Sequence, residues 1–133
     1  MTVVQMAPQA SLEIENRWDD TYAARLSPAE LLLYRSNLLG SDKRITNFGG
    51  GNTSAKLKEK DPLTGQEVEV LWVKGSGGDL GTMKLDGLST LYMEKFLGLE
   101  KFYGSSKAAG KDPDGTLVPL YAHSAFNLNP RAA

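Results

Sequence analysis

The sequence predicts a single mixed α/β domain. Three patterns point to it: apolar residues at helical spacing near the start, two strand-like runs joined by a turn in the middle, and a second helical stripe after them. The chain has 133 residues, 41% hydrophobic and 23% charged, which is the composition of a folded domain rather than a disordered segment. We expect residues 1–10 to form a loose tail and residues 11–133 to form the domain.

Two helices are predicted in the first forty residues. A short amphipathic helix over 15–25 is indicated by an apolar stripe made of Leu12, Ile14, Trp18, Tyr22 and Leu26. The second helix has a sharper start, because Ser27 as N-cap, Pro28 in the first turn and Glu30 form a capping box. Gly40 is its predicted end.

A hairpin is predicted in the middle of the chain. Small and apolar residues alternate with polar ones over 53–57, and a largely apolar run covers 68–73. The segment 61–65 between them carries the proline and glycine of a tight reversal. The two runs are therefore expected to pair as antiparallel strands.

The last third of the chain is predicted to hold a helix, a loop and a strand. Asp86 is the expected cap of a helix whose buried stripe is formed by Leu88, Leu91, Tyr92, Phe96, Leu99 and Phe102. Residues 104–115 mix small and charged side chains and predict an exposed loop. Residues 117–121 predict a strand, which Pro119 would place at a sheet edge or a bulge.

Composition excludes several classes of function. The net charge of -1 lacks the basic excess typical of proteins that bind nucleic acid. The absence of cysteine excludes disulfides and thiolate metal sites, and a single histidine leaves little metal chemistry. No run approaches the ~20 apolar residues of a membrane span, and residues 1–10 lack the pattern of a secretory signal. We expect a cytoplasmic protein without nucleic-acid or membrane partners.

The first candidate binding segment is residues 47–54, here called the first glycine loop. Its three successive glycines allow a ligand to approach backbone amides closely, and Asn52 adds a side-chain donor. This pattern favours an anion site at Gly50, Gly51 and Asn52. A flexible turn without a ligand is the alternative interpretation.

The second candidate segment is residues 74–83, here called the second glycine loop. It follows the apolar run at 68–73, and glycine-rich loops at the ends of central strands commonly hold ligands in α/β proteins. Ser76 and the amides around Gly77 suit phosphate oxygens. The segment matches neither the P-loop pattern nor the dinucleotide fingerprint.

Four single residues complete the candidates. Lys74 is placed to pair with phosphate; a Schiff base is a weaker hypothesis because the sequence does not indicate the burial that it requires. Asp79 is interpreted as an acceptor for nearby backbone groups, and His123 as a structural rather than a catalytic residue. Arg131 either contacts phosphate or is solvated near the chain end.

Residues 44–54 and 71–81 resemble the class II aldolase/adducin family, and most closely the aldolase half of bifunctional rhamnulose-1-phosphate aldolase/alcohol dehydrogenase proteins. The resemblance extends from about residue 28 to residue 133, through 83–87 and 126–133. It implies a three-layer α/β/α domain with a largely antiparallel central sheet. This chain would be an incomplete, amino-terminal part of that domain.

The resemblance also implies a reaction. The family cleaves a ketose 1-phosphate into dihydroxyacetone phosphate and an aldehyde, which is lactaldehyde in this subgroup. A glycine-asparagine turn and a Ser/Thr-Gly loop hold the substrate phosphate; they correspond here to Gly51 with Asn52, next to Gly50, and to Ser76 with Gly77. Zinc bound by histidines, two of them in a His-x-His pair, polarises the ketone, and an acidic residue transfers the proton.

The zinc ligands and the acid are expected outside this chain. His123 is not part of a His-x-His pair, and in the family these groups follow the block at 126–133. We therefore expect no catalytic residue, metal ligand or cofactor here, zinc in a longer parent protein, and no turnover by the chain alone. A phosphorylated sugar is the expected partner, and a homo-oligomer is compatible with the sequence.

A different class of function is also compatible with the resemblance. Relatives of the adducin type are non-catalytic binding or scaffolding modules that keep the aldolase architecture. The missing metal ligands favour such a module, whereas the two glycine loops favour the enzyme segment.

Overall fold

The computed structural model describes residues 15–127, which form a three-stranded antiparallel sheet with helices packed against it. The helices are α1 (Asp20–Ala23), α2 (Pro28–Gly40), α3 (Met93–Ala108) and α4 (Pro113–Leu117). The strands are β1 (Ser54–Lys60), β2 (Glu67–Lys74) and β3 (Leu88–Tyr92), adjacent in that order, and 3-10 turns cover Leu85–Gly87 and Val118–Ser124. The expected tail, with Leu12 and Ile14, lies outside the described residues.

The capping box of α2 is confirmed. The Ser27 hydroxyl accepts from the Glu30 amide at 3.3 Å, and the Glu30 carboxylate accepts from the Ser27 amide at 3.3 Å. Both bonds satisfy amides that a helix start otherwise leaves without partners. Pro28 occupies the first turn, and Gly40 is the last helical residue, as predicted.

The preceding helix is much shorter than the predicted 15–25. The Asp19 carboxylate accepts from the amides of Thr21 and Tyr22 at 2.9 and 3.1 Å, so Asp19 is the N-cap and the helix begins only at Asp20. Asp19 itself has extended backbone angles, which separate the residues before it from the helix. The apolar stripe at this end of the chain is therefore not one continuous helix face.

The predicted hairpin is confirmed, with both strands longer than expected. Ser54 lies opposite Val73 and Lys60 opposite Glu67. The turn is held by the Asp61 carboxylate, which accepts from the Leu63 amide at 2.8 Å, and Gly65 has a φ of 73°, which favours glycine. Along β1 the exposed positions alternate with half-buried ones; the exposed side chains are Ser54, Lys56, Lys58 and Lys60.

The helix predicted to start at Asp86 is wrong in its first part. Residues Leu88–Tyr92 form β3, which pairs antiparallel with β2, and the helix begins at Met93. Leu88, Ser89 and Thr90 are all buried, so this strand lacks the polar-apolar alternation that would identify it, and its leucines also fit helical spacing. Asp86 lies in the 3-10 turn before the strand.

The predicted loop at 104–115 and strand at 117–121 are also wrong. Helix α3 continues to Ala108, and the Ser105 hydroxyl donates to the Lys101 carbonyl within it at 3.1 Å. The Asp112 carboxylate caps α4 by accepting from the Asp114 amide at 3.2 Å. Pro119 lies near the start of the following 3-10 turn, where its fixed φ is compatible with helical geometry.

The core joins α2 to the sheet and to the loop that follows β2. It is formed by Leu32, Leu80, Met83 and Leu88, and Ala55 and Trp72, which are opposite each other in the β1–β2 register, pack against it. Val70 at the centre of β2 is fully buried. Within residues 15–127, no helix is long and apolar enough to cross a membrane.

Candidate functional site

The second glycine loop borders a cavity of about 350 Å³. The loop leaves the end of β2, crosses the surface and returns through the 3-10 turn to β3. Residues from both ends of this connection line the cavity, and the polar ones include Lys74, Ser76, Asp79, Thr82, Lys84 and Asp86. Its volume is within the range of small-molecule sites.

Backbone amides without backbone partners lie at this cavity. Gly75 donates to the Gly87 carbonyl at 2.9 Å, which fixes the base of the loop. Among residues 15–127, the next amides, those of Ser76, Gly77 and Gly78, form no backbone–backbone hydrogen bond. Ser76 and Gly78 line the cavity and Ser76 is exposed, so unpaired donors occur where a ligand has access. Such a loop is suited to an anion.

The charges around the cavity also favour an anion. Lys74 and Lys84 both contribute to its lining. Asp79 is compensated, because the Lys43 ammonium donates to both of its carboxylate oxygens at 3.0 Å. This hydrogen bond lowers the pKa of the Asp79 carboxyl below its ordinary value of 3.8. Among the described lining residues, Lys74 and Lys84 are then opposed by Asp86, which leaves a net positive charge at the cavity.

The first glycine loop lies against the second but outside the cavity lining. The Leu80 amide donates to the Gly50 carbonyl at 3.1 Å, and the Leu80 side chain packs closely on Gly51. Asn52 is exposed, and neither it nor the glycines beside it line the cavity. The structure thus brings the two predicted loops into contact. Of the phosphate-binding set Gly50, Gly51, Asn52, Ser76 and Gly77, Ser76 alone lines the cavity, and Gly77 is its exposed neighbour.

The single-residue candidates have different surroundings. Lys74 lines the cavity, and its ammonium donates to the Gly75 carbonyl at 3.2 Å. Asp79 accepts from the Gly49 amide at 3.2 Å, as expected of a backbone acceptor, although its ion pair with Lys43 was not foreseen. His123 lies exposed on the second 3-10 turn and does not line the cavity. Arg131 lies outside the described residues.

Sequence reasoning missed two polar residues of the lining, Lys84 and Asp86, and did not single out Thr82 within the second glycine loop. Lys84 and Asp86 follow the second glycine loop and become part of the cavity because the 3-10 turn Leu85–Gly87 returns the chain towards the base of that loop. The alternation of polar with apolar residues over 82–86 was the available signal.

The described residues do not fit a zinc ion. Between residues 15 and 127, no three side chains of histidine, cysteine, aspartate or glutamate come together in a way that could hold a metal. The whole sequence has one histidine and no cysteine, whereas catalytic zinc takes three protein ligands.

Comparison with known proteins agrees with this architecture. A solved structure, the N-terminal class II aldolase domain of a conserved protein from Thermoplasma acidophilum, matches with a TM-score of 0.64 at 31% identity, over 91% of this chain and 52% of that one. The protein named "Uncharacterized oxidoreductase YuxG" of Bacillus subtilis (strain 168) is 51% identical over 111 residues, which are 83% of this chain and 15% of that protein. No family model matches the chain.

The chain thus spans about half of the matched solved chain and a small part of the curated relative. The antiparallel sheet of this chain and the coverage of 91% of this chain in the structural match support the same fold. The chain has a class II aldolase-like α/β fold.

Proposed function

We propose that this chain is the phosphate-binding part of a class II sugar-phosphate aldolase. The observation that carries the proposal is the cavity at the second glycine loop, where Ser76 and Gly78 have amides without backbone partners and Lys74 and Lys84 supply positive charge. Amide donors and ammonium groups together suit a phosphate monoester, which accepts several hydrogen bonds and is doubly charged near neutral pH.

Rhamnulose 1-phosphate is the substrate that we propose, with dihydroxyacetone phosphate and lactaldehyde as products. Support comes from the blocks at 44–54 and 71–81, which resemble the bifunctional aldolase/dehydrogenase subgroup. A much longer relative that is named an oxidoreductase agrees with an aldolase-like part and a redox part in one polypeptide. Cytoplasmic location is part of the same proposal.

In this proposal, the described residues bind and orient the phosphate and do not carry out bond cleavage. Zinc and the proton-transferring acid belong to a longer parent protein, since the described residues do not supply a metal site. The isolated chain is therefore expected to bind phosphate weakly and to be inactive.

Phosphate binding is tested by titrating the chain with inorganic phosphate while its amide NMR signals are recorded. The amides of Ser76 and Gly78 should shift in a saturable manner. Lys74→Met should raise the apparent Kd several-fold, whereas Lys101→Met, which removes an exposed lysine of α3, should leave it unchanged. Equal effects of the two variants, or no saturable shift, would refute the site.

The contribution of the first glycine loop is tested separately. Asn52→Ala and Ser76→Ala are compared singly and together, because Ser76 lines the cavity and Asn52 does not. If both glycine loops contact the phosphate, both single variants weaken phosphate binding. If only Ser76→Ala does so, the first loop has no direct contact with the ligand.

Catalysis is tested by supplying the chain with zinc and rhamnulose 1-phosphate. We expect no lactaldehyde, and turnover that EDTA abolishes would contradict the proposed division of roles. Sequencing the source gene beyond codon 133 is the complementary experiment, since an acidic residue and a His-x-His pair there are expected of an aldolase.

A non-catalytic binding module is the second candidate function. It is favoured by one observation, the lack of a metal-capable group of side chains between residues 15 and 127. A parent protein without the downstream histidines that still binds phosphate would support this alternative.

A further inference from the structure

Lys43, just beyond the end of α2, contacts three separate parts of the chain. Its ammonium donates to the Gly40 carbonyl at 3.0 Å and to both oxygens of Asp79 at 3.0 Å, and it lies 5.3 Å from the ring centre of Phe48. Lys43 does not line the cavity, whereas Asp79 does. The ion pair therefore connects the helix end to the wall of the proposed binding site.

Asp79 in turn connects the two glycine loops. One of the two carboxylate oxygens that accept from Lys43, Oδ1, also accepts from the Gly49 amide at 3.2 Å, and the next residue, Leu80, donates its amide to the Gly50 carbonyl at 3.1 Å. Only 11% of the Asp79 side chain is exposed, compared with 42% for Lys43. The Asp79 carboxylate is thus better shielded from solvent than the Lys43 ammonium, and its position depends on the hydrogen bonds from both Lys43 and Gly49.

The segment that follows Asp79 is also held in place by hydrogen bonds. The Asn37 side-chain amide donates to the carbonyls of Leu80 and Met83 at 2.9 and 3.1 Å. The segment after Asp79 is thereby fixed to α2.

We propose that Asp79, compensated by Lys43, is a positioning residue that couples anion binding at the second glycine loop to the conformation of the first. The inference rests on the proposed function. Two effects follow from it: Lys43 removes the repulsion that Asp79 would exert on an anion in the cavity, and Asp79 transmits the response to Gly49. Loss of Lys43 should weaken binding although Lys43 does not contact the ligand.

The test is the phosphate titration followed by amide NMR, applied to the full chain and to variants of this pair. In the unmodified chain, the Gly49 and Gly50 amides should shift together with those of Ser76 and Gly78. Lys43→Met should raise the apparent Kd several-fold, and Lys43→Arg, which keeps the charge, should restore it. The double variant Lys43→Met, Asp79→Asn should regain affinity because the uncompensated charge is gone, but the Gly49 response should be lost.

Arg44→Met is the matched control. It removes a neighbouring cation whose guanidinium pairs with Asp42 at 2.7 Å. Its affinity and its Gly49 response should equal those of the unmodified chain. Thermal unfolding of every variant identifies those that do not fold. If Lys43→Met does not fold, the comparison of Lys43→Arg with the double variant still tests the proposal.

The outcomes separate the two proposals. An affinity that Lys43→Met leaves unchanged, or a Gly49 response that persists in the double variant, would overturn the coupling and leave the phosphate site intact. No response of Ser76 and Gly78 in the unmodified chain would overturn both. A double variant that binds as weakly as Lys43→Met alone would also contradict the charge-compensating role of Lys43.

Discussion

Gly40 and Gly81 lie backbone to backbone, where the end of α2 meets the second glycine loop. A Cβ on Gly81 would lie 2.8 Å from the carbonyl carbon and oxygen of Gly40, and a Cβ on Gly40 would lie 2.4 Å from the Gly81 nitrogen. Neither backbone can move as a flexible side chain would. The absence of two side chains thus allows the loop to approach the helix and the Lys43–Asp79 pair to form.

Gly81→Ala is predicted to destabilise the chain by about 1–3 kcal/mol, because the added methyl group forces the loop away from α2. Denaturant unfolding measures the change. Gly98→Ala in α3 is the control, since nothing lies within 4 Å of a Cβ there and the substitution should stabilise the helix by about 0.5–1 kcal/mol. Equal effects of the two substitutions would show that the close approach does not matter.

Ser27→Ala is predicted to lower the free energy of unfolding by about 1 kcal/mol, because it leaves the Glu30 amide without its side-chain acceptor. Ser105→Ala is the control, since that hydroxyl lies in the interior of α3 on an exposed surface and should matter little. Thermal unfolding checks both. A Ser27→Ala variant as stable as the control would contradict a stabilising role for the capping box.

Leu32→Ala is predicted to destabilise by about 2–5 kcal/mol, because Leu32 is 2% exposed and its truncation leaves a cavity between α2 and the sheet. Leu97→Ala, at a site that is 57% exposed, should change stability much less. Denaturant midpoints provide the comparison. Similar losses at the two sites would mean that the core lies elsewhere.

Acid is predicted to weaken the loop region through Asp42 and Asp79. Hydrogen bonds from Arg44 lower the pKa of Asp42 from 3.8 to about 2, and the bond from Lys43 lowers the pKa of Asp79. A lowered native pKa stabilises the fold above the unfolded value and loses that effect as the pH falls through the native one. The melting temperature should therefore fall between about pH 4 and pH 2.

The same acid titration of variants identifies the responsible groups. Asp79→Asn should melt at a lower temperature than the unmodified chain at neutral pH and show a shallower decrease in acid. Glu100→Gln, at an exposed position of α3, should follow the curve of the unmodified chain. Parallel curves for all three proteins would exclude a contribution from Asp79.

The fold was predictable where a local signal had one interpretation. Ser27 and Glu30 define a helix start through bonds within four residues, and Asp61 and Gly65 define a reversal in the same way. By contrast, Leu88 and Leu91 fit a helix and a buried strand equally well. Only pairing with β2, which is not encoded locally, decides between them.

The candidate site was predictable as a pair of loops and not as a cavity. Glycine runs indicate accessible amides, which is why Ser76 could be selected from the sequence. Lys43 could not be selected, because it is 36 residues from Asp79 and only the fold brings the two together. Lys84 and Asp86 belong to the lining for the same reason, since a 3-10 turn returns them to the loop.

Lys56, Lys58 and Lys60 line the exposed face of β1, an outer strand of the sheet formed by residues 15–127. The exposed edge of a β-strand can pair with a strand of another polypeptide and so extend the sheet. Two copies paired along β1 would bring six lysine ammonium groups close together, and the repulsion between these charges opposes the pairing at low ionic strength. Added salt screens the repulsion between the lysines of β1. At high ionic strength this chain would therefore lose the charge repulsion that protects it against fibrous aggregation.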